Sequence, residues 1–197
     1  LGDQRTGIAL ADVAGKGVAA ALIMSVVQAS LRVLASEPDL PLPQLAAKMN
    51  HFLYRSTGPA SYATFFYARL DERKRQLGYV NAGHNPPYLL RAAGAPAVIE
   101  ELSIGGLFIG MFPRAVYEEG TVDVRPGDVL MICTDGVTEA MSPDGEEFGT
   151  QRLKNLLQQV MHLPVEEMSS RISLELKNWI QNAPLYDDLT FVLMKVK

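Results

Sequence analysis

One cysteine, three histidines, one tryptophan and no extended basic block mark what is scarce in these 197 residues. A single cysteine, Cys133, excludes a disulfide framework within the chain and suits a reducing, cytoplasmic setting. It sits inside the apolar run Val129-Leu130-Met131-Ile132-Cys133-Thr134, so it reads as a buried small hydrophobe and not as a nucleophile. His51, His84 and His162 are too scattered to suggest a zinc pair. The net charge is −4, and the densest basic stretch is only Glu72-Arg73-Lys74-Arg75, which reads as a solvated hairpin turn. The electrostatic footprint of nucleic-acid binding is therefore missing. The most apolar stretch, Val18 to Val27, is about half of what a bilayer requires, so neither a membrane span nor a signal peptide is expected. G-x-S-x-G, G-x-x-x-x-G-K-[ST] and G-x-G-x-x-G are all absent, which removes the serine-hydrolase elbow and the two common nucleotide loops. There is no initiator methionine, and the opening Leu1-Gly2-Asp3 reads as a piece of a longer protein.

Apolar residues make up 48% of the chain and charged residues 20%, ordinary values for one soluble globular domain over residues 1–197. Thr6 to Asp12 reads as a strand, and Val18 to about Leu34 as a helix apolar on most sides and hence deeply buried. Leu42, Leu45, Ala46, Met49, Phe52 and Leu53 stripe a second helix. Ser61 to Asp71 and Gln76 to Ala82 pair as a hairpin, followed by short strands at Pro87 to Arg91, Ala97 to Leu102, Val116 to Val124 and Asp128 to Thr134. Arg125-Pro126-Gly127-Asp128 has proline and glycine where a type II turn wants them. Two more helices carry stripes at Leu153, Leu156, Leu157, Val160 and at Met168, Ile172, Leu176, Trp179, Ile180 before a last strand. Strands and helices do not alternate, so antiparallel sheets covered by helices, an α+β fold, are expected.

Three strand ends carry acids. Asp12 closes Ile8-Ala9-Leu10-Ala11, Asp135 closes the Val129 run, and Asp187 with Asp188 opens Leu189-Thr190-Phe191-Val192-Leu193-Met194. Were the third strand antiparallel to the other two, all three carboxylates would reach one sheet edge. Carboxylates repel there unless a cation sits between them, and oxygen donors suit magnesium or manganese. Asp12-Val13-Ala14-Gly15-Lys16-Gly17 is equally readable as a tight glycine turn. Glu139, Asp144, Glu146 and Glu147 read as a solvated acidic loop. His84, in Asn81-Ala82-Gly83-His84-Asn85-Pro86-Pro87, reads as a turn histidine bonded to backbone.

Five segments in order carry a resemblance that spans essentially the whole chain. They are Asp12-Val13-Ala14-Gly15-Lys16-Gly17, Ala63-Thr64-Phe65-Phe66, Asn81 through Tyr88, Gly127-Asp128 with Thr134-Asp135-Gly136-Val137-Thr138-Glu139-Ala140, and Asp187-Asp188-Leu189-Thr190. The chain resembles the PPM family of metal-dependent protein serine/threonine phosphatases, in its bacterial SpoIIE/RsbU-like branch. The resemblance implies a four-layer α-β-β-α sandwich of two antiparallel sheets with helices on the outer faces. It implies two Mn²⁺ or Mg²⁺ ions per intact site, with Asp12, Asp135 and Asp187 as catalytic metal ligands and Val13 binding through its carbonyl. A metal-activated water would then hydrolyse phosphoserine or phosphothreonine without a covalent enzyme intermediate. The substrate would be a bacterial regulatory protein such as a STAS-type anti-anti-sigma factor, with an upstream sensor or receiver domain in the parent chain.

The sequence departs from the family in three places. The Gly-Gly-Asp segment of an N-terminal strand is absent; Asp3 sits past it and is not its substitute. A sheet edge left unpaired by that missing strand invites a second copy, a homodimer. Weak metal binding and low activity are expected of this fragment. Asp188 stands where the family often has asparagine, and is read as lying behind the ligands. Ala14 stands where eukaryotic relatives place a histidine acid. The rival reading is a degenerate, non-catalytic phosphatase-fold module that binds a signalling partner.

Overall fold

The structure, a computed structural model, describes residues 4–58, 61–94 and 97–197; Asp3 lies outside the described residues. In chain order the elements are β1 (Arg5–Val13), α1 (Val18–Ala35), α2 (Leu42–Ser56), β2 (Ala63–Asp71), β3 (Gln76–Ala82), β4 (Tyr88–Leu90), β5 (Ile99–Glu101), β6 (Gly105–Gly106), β7 (Gly120–Asp123), β8 (Val129–Cys133), α3 (Asp135–Thr138), α4 (Gly149–Val160), α5 (Val165–Ile180) and β9 (Phe191–Lys195). The fold is α+β, with two sheets and associated helices, in two compact units. One comprises Leu1–His84 and Leu102–Val124, the other Asn85–Glu101 and Arg125–Lys197.

The first unit holds a five-stranded sheet in the order β1-β2-β3-β6, with β7 also on β3. The hairpin expected from alternation is β2–β3, turning through Glu72–Arg75 in register Asp71↔Gln76. β1 lies antiparallel on β2 with Asp12 opposite Thr64 and Val13 opposite Ala63. One pair departs from the antiparallel expectation: β6 runs parallel to β3 over Asn81↔Gly105 and Ala82↔Gly106. Two glycines carry no strand signature, and their role is steric. A Cβ on Gly105 would overlap the Asn81 backbone. Phe65 and Tyr67 of β2 join Val27, Leu34, Leu45, Met49 and Leu53 in one core, so α1 and α2 cover that sheet face. Phe66 and Ala68, on the opposite face of β2, are also fully buried.

Helix α1 corrects the expectation of deep burial. Only Val27 and Leu34 are buried, whereas Val18, Leu22 and Val33 are 79%, 64% and 69% exposed. Its few polar residues, Ser25, Gln28 and Arg32, share one exposed stripe, and the opposite side meets the sheet. Ala20, Ile23, Val26, Leu31 and Ala35 pack with Val27 and Leu34 on that side, and Val18, Leu22 and Val33 face outward. The helix has the expected extent, Val18–Ala35, and its apolar character runs past the Val18–Val27 stretch. Over Val18–Ala35 its mean hydropathy is 1.9, so by length and composition it is long and apolar enough to cross a membrane. The α2 stripe holds at Leu42, Leu45, Ala46, Met49 and Leu53, but Phe52 is 48% exposed.

The second unit holds a four-stranded antiparallel sheet in the order β5-β4-β8-β9. Leu153, Leu157 and Val160 of α4 and Met168, Ile172, Leu176 and Ile180 of α5 pack with Val129, Met131 and Cys133 of β8. Before β8, Gly127 adopts φ 91° and the Asp128 N–H donates to the Arg125 carbonyl at 3.0 Å, as a type II turn requires.

Candidate functional site

Strands β8 and β9 are antiparallel, with Cys133 opposite Phe191, so the end of one lies beside the start of the other. This places the Asp135 and Asp187 segments together. Thr134, between β8 and α3, fastens them. Its hydroxyl donates to the Asp188 carbonyl at 2.9 Å and accepts the Thr190 N–H at 3.2 Å, while its own N–H donates to the Thr190 carbonyl at 3.0 Å. Gly136 lets the segments approach: a Cβ there would stand 2.5 Å from the Asp188 carbonyl oxygen and 3.5 Å from the Asp187 Cβ. Each aspartate is partly oriented by its own chain. Asp135 Oδ1 accepts the Gly136 N–H and Asp187 Oδ1 accepts the Asp188 N–H, both at 2.9 Å.

The surroundings are acidic. Burial first, and then the charges of Asp135, Glu147 and Asp187, hold the Glu139 carboxyl above its ordinary range. Among the described residues no lysine or arginine forms an ion pair with Asp135 or Asp187, although Arg91, Arg152 and Lys154 of the same unit are paired elsewhere. Glu146 pairs with Arg152 at 3.3 Å, in keeping with the solvated-loop reading. Cys133, 5% exposed, is the expected buried hydrophobe; burial foremost, then the Asp135 charge, pushes its thiol up to about 12.

Asp12 belongs to the other unit and the other sheet, so the three acids do not share one sheet edge. Convergence on one edge requires the three strands to be neighbours in one sheet, and β1 pairs with β2 instead. After Val13, which is buried, the Ala14 N–H donates to the Tyr62 carbonyl at 3.0 Å. Gly15 and Gly17 follow at φ 96° and 79°. Those are conformations that favour glycine, and they make this segment a tight turn. Thr64, opposite Asp12, has its Oγ1 2.8 Å from His84 Nδ1. His84, expected as a turn histidine bonded to backbone, has its ring against this side-chain hydroxyl and its N–H donating to Asn81 Oδ1 at 2.8 Å.

Within the second unit the structure brings Asp135 and Asp187 together; Asp12 and Val13 stand in the first. Among the described residues, no group of three or more His, Cys, Asp or Glu side chains is gathered closely enough to hold a metal ion. The donors that are present fit a hard divalent cation in kind, being carboxylate oxygens without a neutralising side-chain cation. Sequence reasoning missed Thr134 and Gly136 as the residues that assemble the pair. Their adjacency to Asp135 was the available signal.

The family model described as Stage II sporulation protein E (SpoIIE) matches residues 2–197. Protein IcfG of Synechocystis sp. is 29% identical over 219 residues, covering 98% of this chain and 34% of IcfG. Phosphoserine phosphatase RsbU of Bacillus subtilis is 28% identical over 194 residues, covering 98% of this chain and 56% of RsbU. The chain thus spans roughly a third to just over half of these two relatives. Among solved structures, the SiaA-PP2C domain of Pseudomonas aeruginosa superposes with a TM-score of 0.85 at 22% identity, over 99% of this chain and 77% of that one. The catalytic domain of the serine/threonine protein phosphatase PstP, in complex with two manganese ions, superposes with a TM-score of 0.66 at 16% identity, over 98% and 92%.

Proposed function

The chain belongs to the SpoIIE/RsbU branch of the PPM phosphatases, and from that premise we propose that residues 1–197 act as one phosphatase domain. It hydrolyses phosphoserine or phosphothreonine on a bacterial regulatory protein, STAS-type proteins being the class the resemblance suggests. Asp135 and Asp187 serve as ligands of Mn²⁺ or Mg²⁺. Asp12, through its carboxylate, and Val13, through its carbonyl, enter the ligand set by family resemblance. The other partners are an upstream sensor or receiver domain of a longer cytoplasmic parent and, in a homodimer, a second copy.

The observation that carries the proposal is the unneutralised pair Asp135 and Asp187, held together by Thr134 across Gly136. Two like charges near each other, with a third carboxyl raised beside them, form a locus that a cation stabilises. When bound, divalent cations supply an acidified water and neutralise phosphoryl oxygens. The chain's own part is orientation: backbone N–H groups fix one oxygen of each carboxylate, and the Thr134 clasp fixes the loop that bears Asp187. A non-catalytic module that holds a signalling partner needs neither acid, so the test separates the readings. Asp135→Asn or Asp187→Asn in the full-length parent is expected to abolish Mn²⁺-dependent phosphate release from a phosphoserine protein. Turnover retained in either variant refutes the assignment.

A further inference from the structure

We infer that a cleft beside the Asp187 segment receives an apolar side chain of the phosphoprotein substrate, close in sequence to its phosphoserine, an inference that rests on the phosphatase reading above. The cleft lies wholly within the second unit and has a volume of about 450 Å³. Met141, Ser142 and Pro143 line one side of it; Asn182, Ala183 and Tyr186 line the other. Tyr186 directly precedes Asp187, and the Met141 wall follows α3, which begins at Asp135.

Both walls are formed before any ligand arrives. On one side Met141 makes a β-bridge with Glu147, the Ser142 N–H donates to the Glu146 carbonyl at 2.8 Å, and Ser142 Oγ accepts the Glu146 N–H at 3.1 Å. On the other, just past α5, the Ala183 N–H donates to the Ile180 carbonyl at 2.8 Å. Trp179 of α5 ties the two sides together. Its Nε1 donates to the Ala140 carbonyl at 3.0 Å, and its ring meets Phe148 edge-on at 5.9 Å. A cleft between walls that satisfy their own polar groups stays open, and a preformed pocket spares its guest an ordering cost.

The lining selects what enters. None of its residues is charged, although acids flank it: Asp144 follows Pro143, and Asp187 follows Tyr186. Such walls offer nothing to a free ion and shelter an apolar group from water. Met141 adds a flexible thioether that adapts to the shape of its guest. A cavity of about 150 Å³ already holds benzene, so this cleft has room for any apolar side chain.

Distance selects the position. A phosphoryl group held at Asp135 and Asp187 lies one residue along the chain from the Tyr186 wall. An extended substrate segment advances about 3.3 Å per residue and turns alternate side chains to one face, so the residue two positions from the phosphoserine, about 7 Å away, is the one that reaches the cleft. The rim adds a charge preference. Asp144 is exposed and forms no ion pair among the described residues, so its carboxylate favours a lysine or arginine in the same segment.

The test uses the full-length parent with Mn²⁺ and two kinds of probe. p-Nitrophenyl phosphate has no flanking residue and reports the reaction centre alone. Synthetic phosphoserine peptides carry leucine or alanine two positions to either side of the phosphoserine, with or without a neighbouring lysine. Leucine on one side is expected to lower KM about 10-fold relative to alanine, the lower end of what apolar pocket contacts contribute, with kcat unchanged. The lysine is expected to add a factor of about 2–5, lost in Asp144→Asn and at high salt. Asn182→Trp puts an indole into the cleft; it is expected to abolish the leucine preference and to hydrolyse p-nitrophenyl phosphate as wild type does. If that variant fails to fold, the leucine and alanine peptides on the wild type decide the question. Equal KM for the two, or no peptide turnover beside hydrolysis of p-nitrophenyl phosphate, overturns the cleft and leaves the phosphatase reading standing. A leucine preference that survives in Asn182→Trp overturns the placement. A wild type that hydrolyses none of the probes overturns both readings.

Discussion

Gly136→Ala separates what the fold needs from what the site needs. Gly136 lies in α3 and its φ is not in the left-handed region, so alanine meets no backbone strain there. Helix propensity alone would favour the substitution by about 1 kcal/mol. The opposing effect is contact. The new Cβ would stand 2.5 Å from the Asp188 carbonyl oxygen, and ordinary contact begins at 3.4 Å, so the segments must part by about 0.9 Å, the difference of the two. That opening stretches the 2.9 Å bond from Thr134 Oγ1 to Asp188 O. Its loss costs about 1 kcal/mol and the overpacking about 1–3 kcal/mol, leaving a net destabilisation of about 1–3 kcal/mol. The variant stays folded. The Asp187 segment is nonetheless displaced from Asp135 by most of an ångström, and misplacement on that scale costs about 100-fold in rate. Phosphate release from a phosphoserine protein with Mn²⁺, beside urea unfolding, measures both effects. Gly145→Ala is the control: Gly145 is at φ 80° with nothing within 4 Å of an added Cβ, so strain there lowers stability and leaves turnover alone. A Gly136→Ala enzyme with wild-type turnover refutes the claim that this close approach assembles the site.

Three further outcomes follow from packing and charge. Asp128 is buried and accepts from Ala92 N–H, Arg125 N–H and Arg91 Nη1, so Asp128→Ala should lower unfolding free energy by about 2–5 kcal/mol in urea titration, chiefly by leaving the Ala92 and Arg125 N–H groups without that acceptor, since Arg91 keeps Glu100. On α1, Leu34→Ala should cost about 2–5 kcal/mol, whereas Leu22→Gln, at a 64% exposed position, should stay within about 0.5 kcal/mol; equal losses would contradict the assignment of faces. The Cys133 thiol, pushed up to about 12, carries little thiolate at mildly alkaline pH, so iodoacetamide should spare the native protein and label it in urea, as mass spectrometry would show.

Local regularities were legible where the period was clean. The β2–β3 hairpin, the α5 stripe and the type II turn before β8 follow from alternation, from helical spacing and from a Pro-Gly pair. The juxtaposition of Asp135 and Asp187 was legible too, because antiparallel pairing of their strands was the one assumption it required. That Asp12 belongs to the other sheet was not. Strand partners are chosen by long-range packing, and nothing within Arg5–Val13 announces that its neighbour is Ala63–Asp71. The faces of α1 were legible only from Ser25, Gln28 and Arg32, spaced on one side and all exposed; its apolar residues, present on every side, do not reveal them. The parallel pairing of β6 was hidden because Gly105 and Gly106 act by having no side chain. The partner of His84 was hidden because the hydroxyl comes from a different strand.

The same distinction explains how an unfavourable acidic pair persists. Asp135 and Asp187 do not attract each other, and no described lysine or arginine bridges them. What holds them is neutral. Thr134 closes bonds to Asp188 and Thr190, the β8–β9 ladder runs from Cys133↔Phe191 to Val129↔Lys195, and Gly136 removes the one atom that would keep the segments apart. A loop with only a structural duty could relieve its repulsion with a basic residue, as Arg91 does for Glu100 and Asp128. Here the relief is withheld; the Glu139 carboxyl is raised by burial first and only then by the charges of Asp135, Glu147 and Asp187. Ladder hydrogen bonds and packing supply the restoring force, so the carboxylates remain available to an incoming cation and no internal salt bridge has to break first. The cost of keeping charge unpaired is borne by neutral contacts, and this local arrangement favours a cation-binding role for these two acids.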